Sequence, residues 1–71
     1  MRDNSLPALQ TFLVEVSFFS GDDRYASENY RIDAANWYGA EQAGLEMSGQ
    51  SPYDDPRVPD LRREAVAHQL S

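Results

Sequence analysis

The amino-acid sequence predicts an α+β fold in which a β-hairpin and a further element form a small antiparallel sheet with one helix packed on it, in the order ββαβ. Two segments alternate apolar and polar residues with the period of a strand, and a segment with helical spacing follows them. An isolated two-stranded hairpin is marginally stable, so the sheet needs a third strand. The 71 residues allow one core. Residues 1–10 lack periodicity and are expected to form a partly ordered lead-in, which leaves residues 11–71 as the single domain.

The first strand lies in "TFLVEVSFF", residues 11–19. Phe12, Val14, Val16 and Phe18 have even numbers and alternate with the remaining residues of the segment. Successive side chains of a strand point to opposite faces, so these four form one face of the sheet. We expect that face to meet the helix and form the core.

The second strand lies in "NYRIDA", and "SGDDRYASE" before it is expected to form a longish hairpin loop. The apolar residues of both strands have even numbers, so even-numbered residues must face even-numbered residues, because a slip of one residue would turn a strand over. A register centred near Asp23 satisfies this condition. It pairs Val16 with Tyr30, Val14 with Ile32, Phe12 with Ala34 and, on the outer face, Glu15 with Arg31.

The helix is expected to begin after Asn36, a favoured N-cap residue, and to stop at Gly49. Its core-facing stripe is rich in small residues, which would let the helix lie close to the sheet. Trp37 would clamp the core from the start of this stripe, whereas Tyr38 lies about 100° around the helix and would stay exposed. The predicted stripe comprises Trp37, Ala40, Ala43, Gly44 and Met47.

The C-terminal third contains a proline-rich segment and an ambiguous last element. "SGQSPYDDPRVPD" excludes regular structure and predicts a loop pinned by its prolines. The composition of "LRREAVAHQL" favours a helix, whereas completion of the sheet favours a strand. We expect a strand, with a helix as the alternative.

Composition narrows the class of partner. Twelve acidic residues against six arginines give a net charge of -6, which disfavours direct binding to nucleic acid and favours a partner with a basic surface. The absence of Cys excludes disulfides and thiolate metal sites, so dimerisation is a remaining way to add stability. No stretch resembles a membrane span or a signal peptide, and we expect a cytoplasmic protein.

The sequence offers little for catalysis. His68 is the only histidine, and no Cys or Ser stands in a recognisable nucleophile setting. The Asp pairs lack the spacing of a calcium loop, and the glycines do not form a phosphate-binding loop. We therefore expect no metal, no cofactor and no enzymatic activity.

Exposed aromatic residues and carboxylates are the best candidates for a binding surface. One helix covers only one face of a sheet, which leaves Leu13, Phe19 and Tyr25 on the other. Carboxylates beside prolines are also ordinary turn chemistry, and scattered exposed rings are normal. The candidate partner-binding residues are Phe19, Tyr38, Tyr53, Asp22, Asp23, Asp54, Asp55 and Arg57.

The succession of "FLVEVSFF", "NYRIDAANWYGAEQAG", a proline-rich loop and "RREAV" resembles the short ββα-plus-strand proteins of bacteriophages and high-GC bacterial orphan genes. The resemblance covers roughly residues 11–67 and carries over no catalytic residue. It implies a compact accessory or inhibitor protein that acts by binding, in a bacterial cell or an infected bacterial host. Three functions follow as hypotheses: a protein-interaction module, an acidic mimic of nucleic acid that blocks a basic groove of a nuclease, polymerase or defence complex, and a small-ligand binding domain.

Overall fold

The computed structural model describes residues 8–70. Within them, β1 and β2 form a hairpin, α1 follows, and β3 completes a three-stranded antiparallel sheet of order β2-β1-β3. The predicted α+β, ββαβ fold is confirmed, and the last element is a strand. The lead-in predicted for residues 1–10 lies mostly outside the described residues. The elements are β1 (Gln10–Ser20), β2 (Asp23–Ala34), α1 (Trp37–Ser48) and β3 (Leu61–Gln69).

The core lies between the central strand and the helix. Phe12, Val14, Val16 and Phe18 are buried on one face of β1, as their alternation predicted. Ile32 of β2 and Ala40 of α1 complete the buried cluster. The other face of the sheet, the helix-free face, carries the odd-numbered residues of β1, and no helix among residues 8–70 packs on it.

The hairpin turn is tighter than expected, and the predicted register is wrong by two residues. Ser20 pairs with Asp23, so only Gly21 and Asp22 connect the strands. Gly21 has φ +60°, which a glycine adopts without strain and which suits the first central position of a type II′ turn. From Gln10 to Phe18, even residues of β1 still face even residues of β2, but the earlier turn moves every pair. Val14 faces Tyr30, Phe12 faces Ile32, Gln10 faces Ala34 and Leu13 faces Arg31.

A β-bulge near the turn directs the side chain of Tyr25 to the core side of the sheet. Phe18 pairs with Ala26 while Phe19 pairs with Arg24, so Tyr25 is an extra residue on β2. Its ring centroid lies 6.4 Å from that of Phe18 on the core side of the sheet. The expectation that Tyr25 joins the helix-free face is therefore wrong, because alternation breaks at a bulge.

The helix begins and packs partly as predicted. The side chain of Asn36 accepts a hydrogen bond of 2.7 Å from the backbone N–H of Gly39, which confirms the N-cap. Ala40 and Gly44 of the predicted stripe are buried and Ala43 packs against the core, but Ser48 rather than Met47 continues the buried line, and Trp37 is 59% exposed.

Gly44 explains why the large residues of the predicted stripe stay outside. A Cβ atom at Gly44 would lie 2.6 Å from Cγ1 of Val14, so the helix axis lies very close to the sheet. At such a distance only the innermost line of small residues is fully buried, while Ala43 and Leu45 beside it are partly buried. Trp37 and Met47, the latter 47% exposed, remain at the surface.

Three hydrogen bonds join α1 to β3. The guanidinium of Arg63 donates to the carbonyl of Leu45 at 3.0 Å and to the buried hydroxyl of Ser48 at 2.8 Å, where it meets the negative end of the helix dipole. Near the middle of the helix, the carboxylate of Glu41 accepts a hydrogen bond of 3.0 Å from the backbone N–H of Ala67. The helix thus holds β3 through a side chain as well as through packing.

Candidate functional site

The candidate residues fall at two opposite ends of the sheet. The loop end comprises the hairpin turn, the connection 49–60 and the start of β3, and the helix-start end comprises the last residues of β2 and β3 with the first turn of α1. A strand of the length of β1 separates the two ends by about 30 Å. Tyr38 lies at the helix-start end, and the other seven candidates lie at the loop end.

Backbone hydrogen bonds dock the 49–60 connection against the hairpin turn. The N–H of Gly21 donates to the carbonyl of Asp60 at 3.0 Å, and the hydroxyl of Ser20 donates to the carbonyl of Pro59 at 2.8 Å. Asp60 has φ +53°, a left-handed conformation that Asp tolerates better than most residues. The loop is therefore held to the sheet, as its prolines predicted.

Three rings pack together at the loop end. The centroid of Tyr53 lies 5.7 Å from that of Phe18 and 6.5 Å from that of Tyr25. The Tyr25 hydroxyl donates to the carbonyl of Tyr53 at 2.5 Å. Tyr53 thus closes the core over Phe18 with one side of its ring, and 42% of the residue remains exposed.

The carboxylates at the loop end occupy two different settings. Asp22 and Asp23 are exposed at the hairpin turn, whereas Asp54 and Asp55 are half-buried near Tyr25. The pKa of the Tyr25 phenol is raised, first by partial burial and then by the charges of Asp55 and Asp54. The loop end therefore carries negative charge next to a ring cluster.

Arg57 neutralises part of this charge. Its guanidinium contacts both oxygens of Asp55, with Nη2 at 2.8 Å from Oδ2, and its backbone N–H donates to Oδ1 at 2.9 Å. The hydrogen bonds from the Arg57 side chain and backbone lower the pKa of Asp55 to about 2. The two residues form a local clamp across Pro56, and 90% of the Arg57 side chain is exposed beside it.

Phe19 lies on the helix-free face under a guanidinium. The Arg62 Cζ atom is 4.4 Å from the centroid of the Phe19 ring, which is the geometry of a cation–π contact. Arg62 also forms an ion pair with Glu64 of the same strand. One face of the Phe19 ring is thus occupied by the chain itself.

The helix-start end presents the most exposed aromatic pair. Trp37 and Tyr38 are 59% and 60% exposed, and their rings meet edge to face with centroids 6.0 Å apart and planes at 87°. A depression of about 410 Å³ lies beside Trp37. Its lining comprises Gln10, Phe12, Ala35, Asn36, Trp37, Ala67 and Gln69.

Sequence reasoning missed Trp37 as a surface residue because helical spacing placed it on the stripe. The signal that could have found it is the small-residue line of Ala40, Gly44 and Ser48, which has i, i+4 spacing and leaves no space for an indole. Asn36 fixes the first turn that presents both rings. The rings therefore stand on a capped helix and not on a free loop.

The described residues show neither a metal-binding group nor a membrane-spanning helix. Across residues 8–70, no three His, Cys, Asp or Glu side chains are arranged to hold a metal ion. No helix in this range is long and apolar enough to cross a bilayer. His68 lies on the helix-free face, opposite Leu13 of β1. The two ends offer aromatic surface and carboxylates.

Comparison with known proteins leaves the chain without a relative from which to transfer a function. No protein-family model matches it, and neither a curated protein nor a solved structure gives a significant match. The resemblance to phage and orphan proteins stays a prediction.

Proposed function

We propose that the protein is a non-enzymatic interaction module that binds another protein through the rings of Trp37 and Tyr38, in the manner of a phage accessory or inhibitor protein in the bacterial cytoplasm. The observation that carries the proposal is the exposure of both rings, about three-fifths of each residue, on one rigid helical turn. Trp and Tyr are enriched among the residues that dominate binding energy at protein interfaces.

The geometry of the pair supports recognition by insertion. The edge-to-face contact at 87° fixes the two rings against each other, so little side-chain freedom is lost on binding. The adjacent depression has Phe12 and Ala67 among polar residues in its lining, which would accept a small apolar group of the partner next to the indole. Apolar centres with polar rims are typical of interface cores.

The experiment is a capture from bacterial lysate with tagged protein, followed by mass spectrometry and a binding measurement on the captured protein. The double variant Trp37→Ala/Tyr38→Ala should weaken binding at least tenfold. Met47→Ala is the matched control, because Met47 is also exposed on α1 but lies near the opposite end of the helix, and it should bind as the wild type does. Circular dichroism should show that all variants fold.

Equal binding by the double variant and the wild type would refute the role of the helix-start end. Equal losses in the double variant and in Met47→Ala would indicate a general effect of the substitutions on α1. Only a loss confined to the ring variant supports the proposal.

The loop end supports a second candidate, a mimic of nucleic-acid phosphates. The fold brings Asp22 and Asp23 of the turn to the same end as Asp54 and Asp55 of the connection. Arginines at this end offset part of the charge, since Arg57 pairs with Asp55. The remaining carboxylates would meet a basic groove with strong dependence on salt.

A fourfold Asp→Asn variant at these positions separates the two candidates. The mimic requires that this variant lose partner binding and that wild-type affinity fall steeply with added salt. The ring-based interface requires that the variant keep its partner. If both the fourfold variant and the ring variant bind normally, neither end is the interface.

A further inference from the structure

The two edge strands of the sheet are protected to different degrees. On the β3 edge, the carboxylate of Glu41 accepts the outward backbone N–H of Ala67, and the side chain of Arg63 reaches back from β3 to the end of α1. Among residues 8–70, no such contact reaches the regular part of the β2 edge. An unprotected strand edge presents backbone donors and acceptors to another chain.

The pairing pattern shows which groups of β2 are open. Because the N–H of Ala67 points away from β1, Ala67 and its neighbour Val14 form a non-hydrogen-bonded pair. Val14 therefore directs its backbone groups to Tyr30 on β2. Hydrogen-bonded pairs alternate along an antiparallel ladder, so the even residues of β2 bond to β1 and the odd residues point outward. The outward residues on the regular part of β2 are Ser27, Asn29, Arg31 and Asp33.

These outward backbone groups have no bonding partner among the described residues. The hydrogen bond and the ring contact between the 49–60 connection and β2 both lie at the bulge, between Tyr25 and Tyr53. From Ala26 to Ala34 the pairing with β1 is regular, and the segment contains no proline. A regular stretch of edge about 27 Å long is thus left open by the described residues.

We propose that β2 pairs antiparallel with β2 of a second copy of this chain, with Asn29 at the two-fold axis, so that two three-stranded sheets join into one sheet of six strands. Addition of a strand to an open edge is a common mode of protein recognition. A two-fold axis at Asn29 places Ser27 opposite Arg31 of the second copy, and all paired residues keep the face that they occupy in one chain.

Charge complementarity selects this register. The bulge puts Arg24, rather than Tyr25, on the helix-free face at the position opposite Asp33 of the second copy. Arg24 contacts Ser17 and Asp33 contacts Thr11, and both contacts lie on that face. Because of the two-fold symmetry, the ion pair between Arg24 and Asp33 forms twice, once at each end of the shared ladder.

Neighbouring registers are less favourable. An axis at Glu28 or at Arg31 would set identical charges directly opposite each other, which destabilises a strand pair. An axis at Tyr30 avoids that contact but leaves Asp33 opposite Ser27 instead of an arginine. Among the axes at residues 28 to 31, only the axis at Asn29 forms two ion pairs without a like-charge contact.

The helix-side face of the same register is also complementary. It sets Glu28 opposite Tyr30 of the second copy. Within one chain the Tyr30 hydroxyl already donates to Glu28 at 2.8 Å. The same donor and acceptor can bond across the interface, so no half-buried polar group loses its partner there.

The first test is the mass in solution of the full chain, by light scattering and sedimentation over a range of concentrations. Two copies of the 8.0 kDa chain should give about twice that mass at high concentration. Asn29→Pro removes an outward N–H without breaking the ladder to β1, and it should weaken the dimer at least tenfold. Asn29→Ala, which keeps the N–H, is the matched control and should dimerise normally.

Charge exchange tests the register. Asp33→Arg should weaken the dimer, and the double variant Arg24→Asp/Asp33→Arg should restore it, because the pair is re-formed with its signs reversed. A dimer unaffected by Asp33→Arg, or not restored by the double variant, would overturn the axis at Asn29.

Amide exchange gives a readout within the wild type. The N–H groups of residues 27, 29, 31 and 33 should become protected as concentration rises, while those of residues 28, 30 and 32 should be protected at every concentration. A monomer at all concentrations, or odd amides that exchange fast in the dimer, would overturn the proposal. If the protein is a monomer, the alternative occupant of the β2 edge is an extended segment of a different protein.

This inference is independent of the proposed function. The β2 edge and the Trp37 and Tyr38 rings are different surfaces, so Asn29→Pro should keep the captured partner and the ring variant should keep the dimer. Loss of dimerisation in the ring variant, with Asn29→Pro unaffected, would place self-association at the helix-start end and overturn the pairing of β2.

Discussion

The loop end and the helix-start end use aromatic residues in opposite ways. At the loop end, the 49–60 connection returns across Phe18 and seals it with Tyr53. At the helix-start end, only Ala35 and Asn36 separate β2 from α1, and nothing among the described residues covers Trp37. The difference shows that the length of the adjoining connection, more than the type of residue, decides whether a ring stabilises the fold or faces solvent.

The largest expected effect separates the two ends directly. Phe18→Ala should lower the free energy of unfolding by about 3–5 kcal/mol, because the side chain is fully buried and its loss leaves a cavity under Tyr53. Trp37→Ala at the other end should cost less than about 1 kcal/mol. Urea denaturation followed by circular dichroism measures both, and a similar loss in the two variants would contradict the comparison.

A smaller effect is expected at Gly44, where the helix crosses the sheet. Gly44→Ala places a Cβ 2.6 Å from the Val14 side chain, and it should destabilise the protein by about 1–3 kcal/mol despite the better helix propensity of Ala. Gly39→Ala is the matched control, since its Cβ would meet its nearest atom, the side-chain oxygen of Asn36, at 3.4 Å. It should be neutral or stabilising by up to about 1 kcal/mol. Thermal unfolding of both variants would show whether the close approach is as tight as the structure indicates.

The cap at the helix-start end should contribute about 1 kcal/mol. Asn36→Ala removes the acceptor for the N–H of Gly39, whereas Asn36→Asp keeps an oxygen in its place. The loss of stability should therefore appear only in the alanine variant. In that variant the first turn should fray, and the amide of Gly39 should exchange faster. Unchanged exchange would mean that the cap does not order the turn that carries the two rings.

The smallest expected effect is on the ion pair between Asp55 and Arg57 at the loop end. Asp55 has a pKa of about 2 in the folded protein, below its ordinary 3.8, because Arg57 donates to its carboxylate. A depressed pKa stabilises the fold above the ordinary value, and this stabilisation is lost as the pH falls through about 2. NMR titration of the Asp55 carboxyl carbon should show the low value, and Arg57→Gln should return it towards 3.8. An unchanged pKa in that variant would remove Arg57 as the cause.

Alternation in β1 was enough to predict the core, because a central strand covered on one face must alternate strictly. Parity also fixed which faces of the hairpin meet. The exact register could not be predicted, since it depends on a two-residue turn at Gly21 and an extra residue at Tyr25, and neither changes the apolar pattern of "NYRIDA".

The remaining errors also have physical causes. Trp37 has the spacing of a core residue, but the approach of Gly44 to Val14 leaves no depth for an indole. In β3, Arg63 occupies a position that alternation reserves for an apolar residue, because its guanidinium reaches the end of α1. This long-range contact made a strand and a helix hard to distinguish in "LRREAVAHQL".

The hydrogen bond from the N–H of Ala67 to the carboxylate of Glu41 affects how many copies of this chain can join edge to edge through their strands. A sheet with two open edges can add copies without end and grow into a fibre. The carboxylate of Glu41 occupies the outward N–H of Ala67 at 3.0 Å, so β3 is the less open of the two edges. If two copies pair at β2 as proposed, this contact opposes the addition of a third copy at β3.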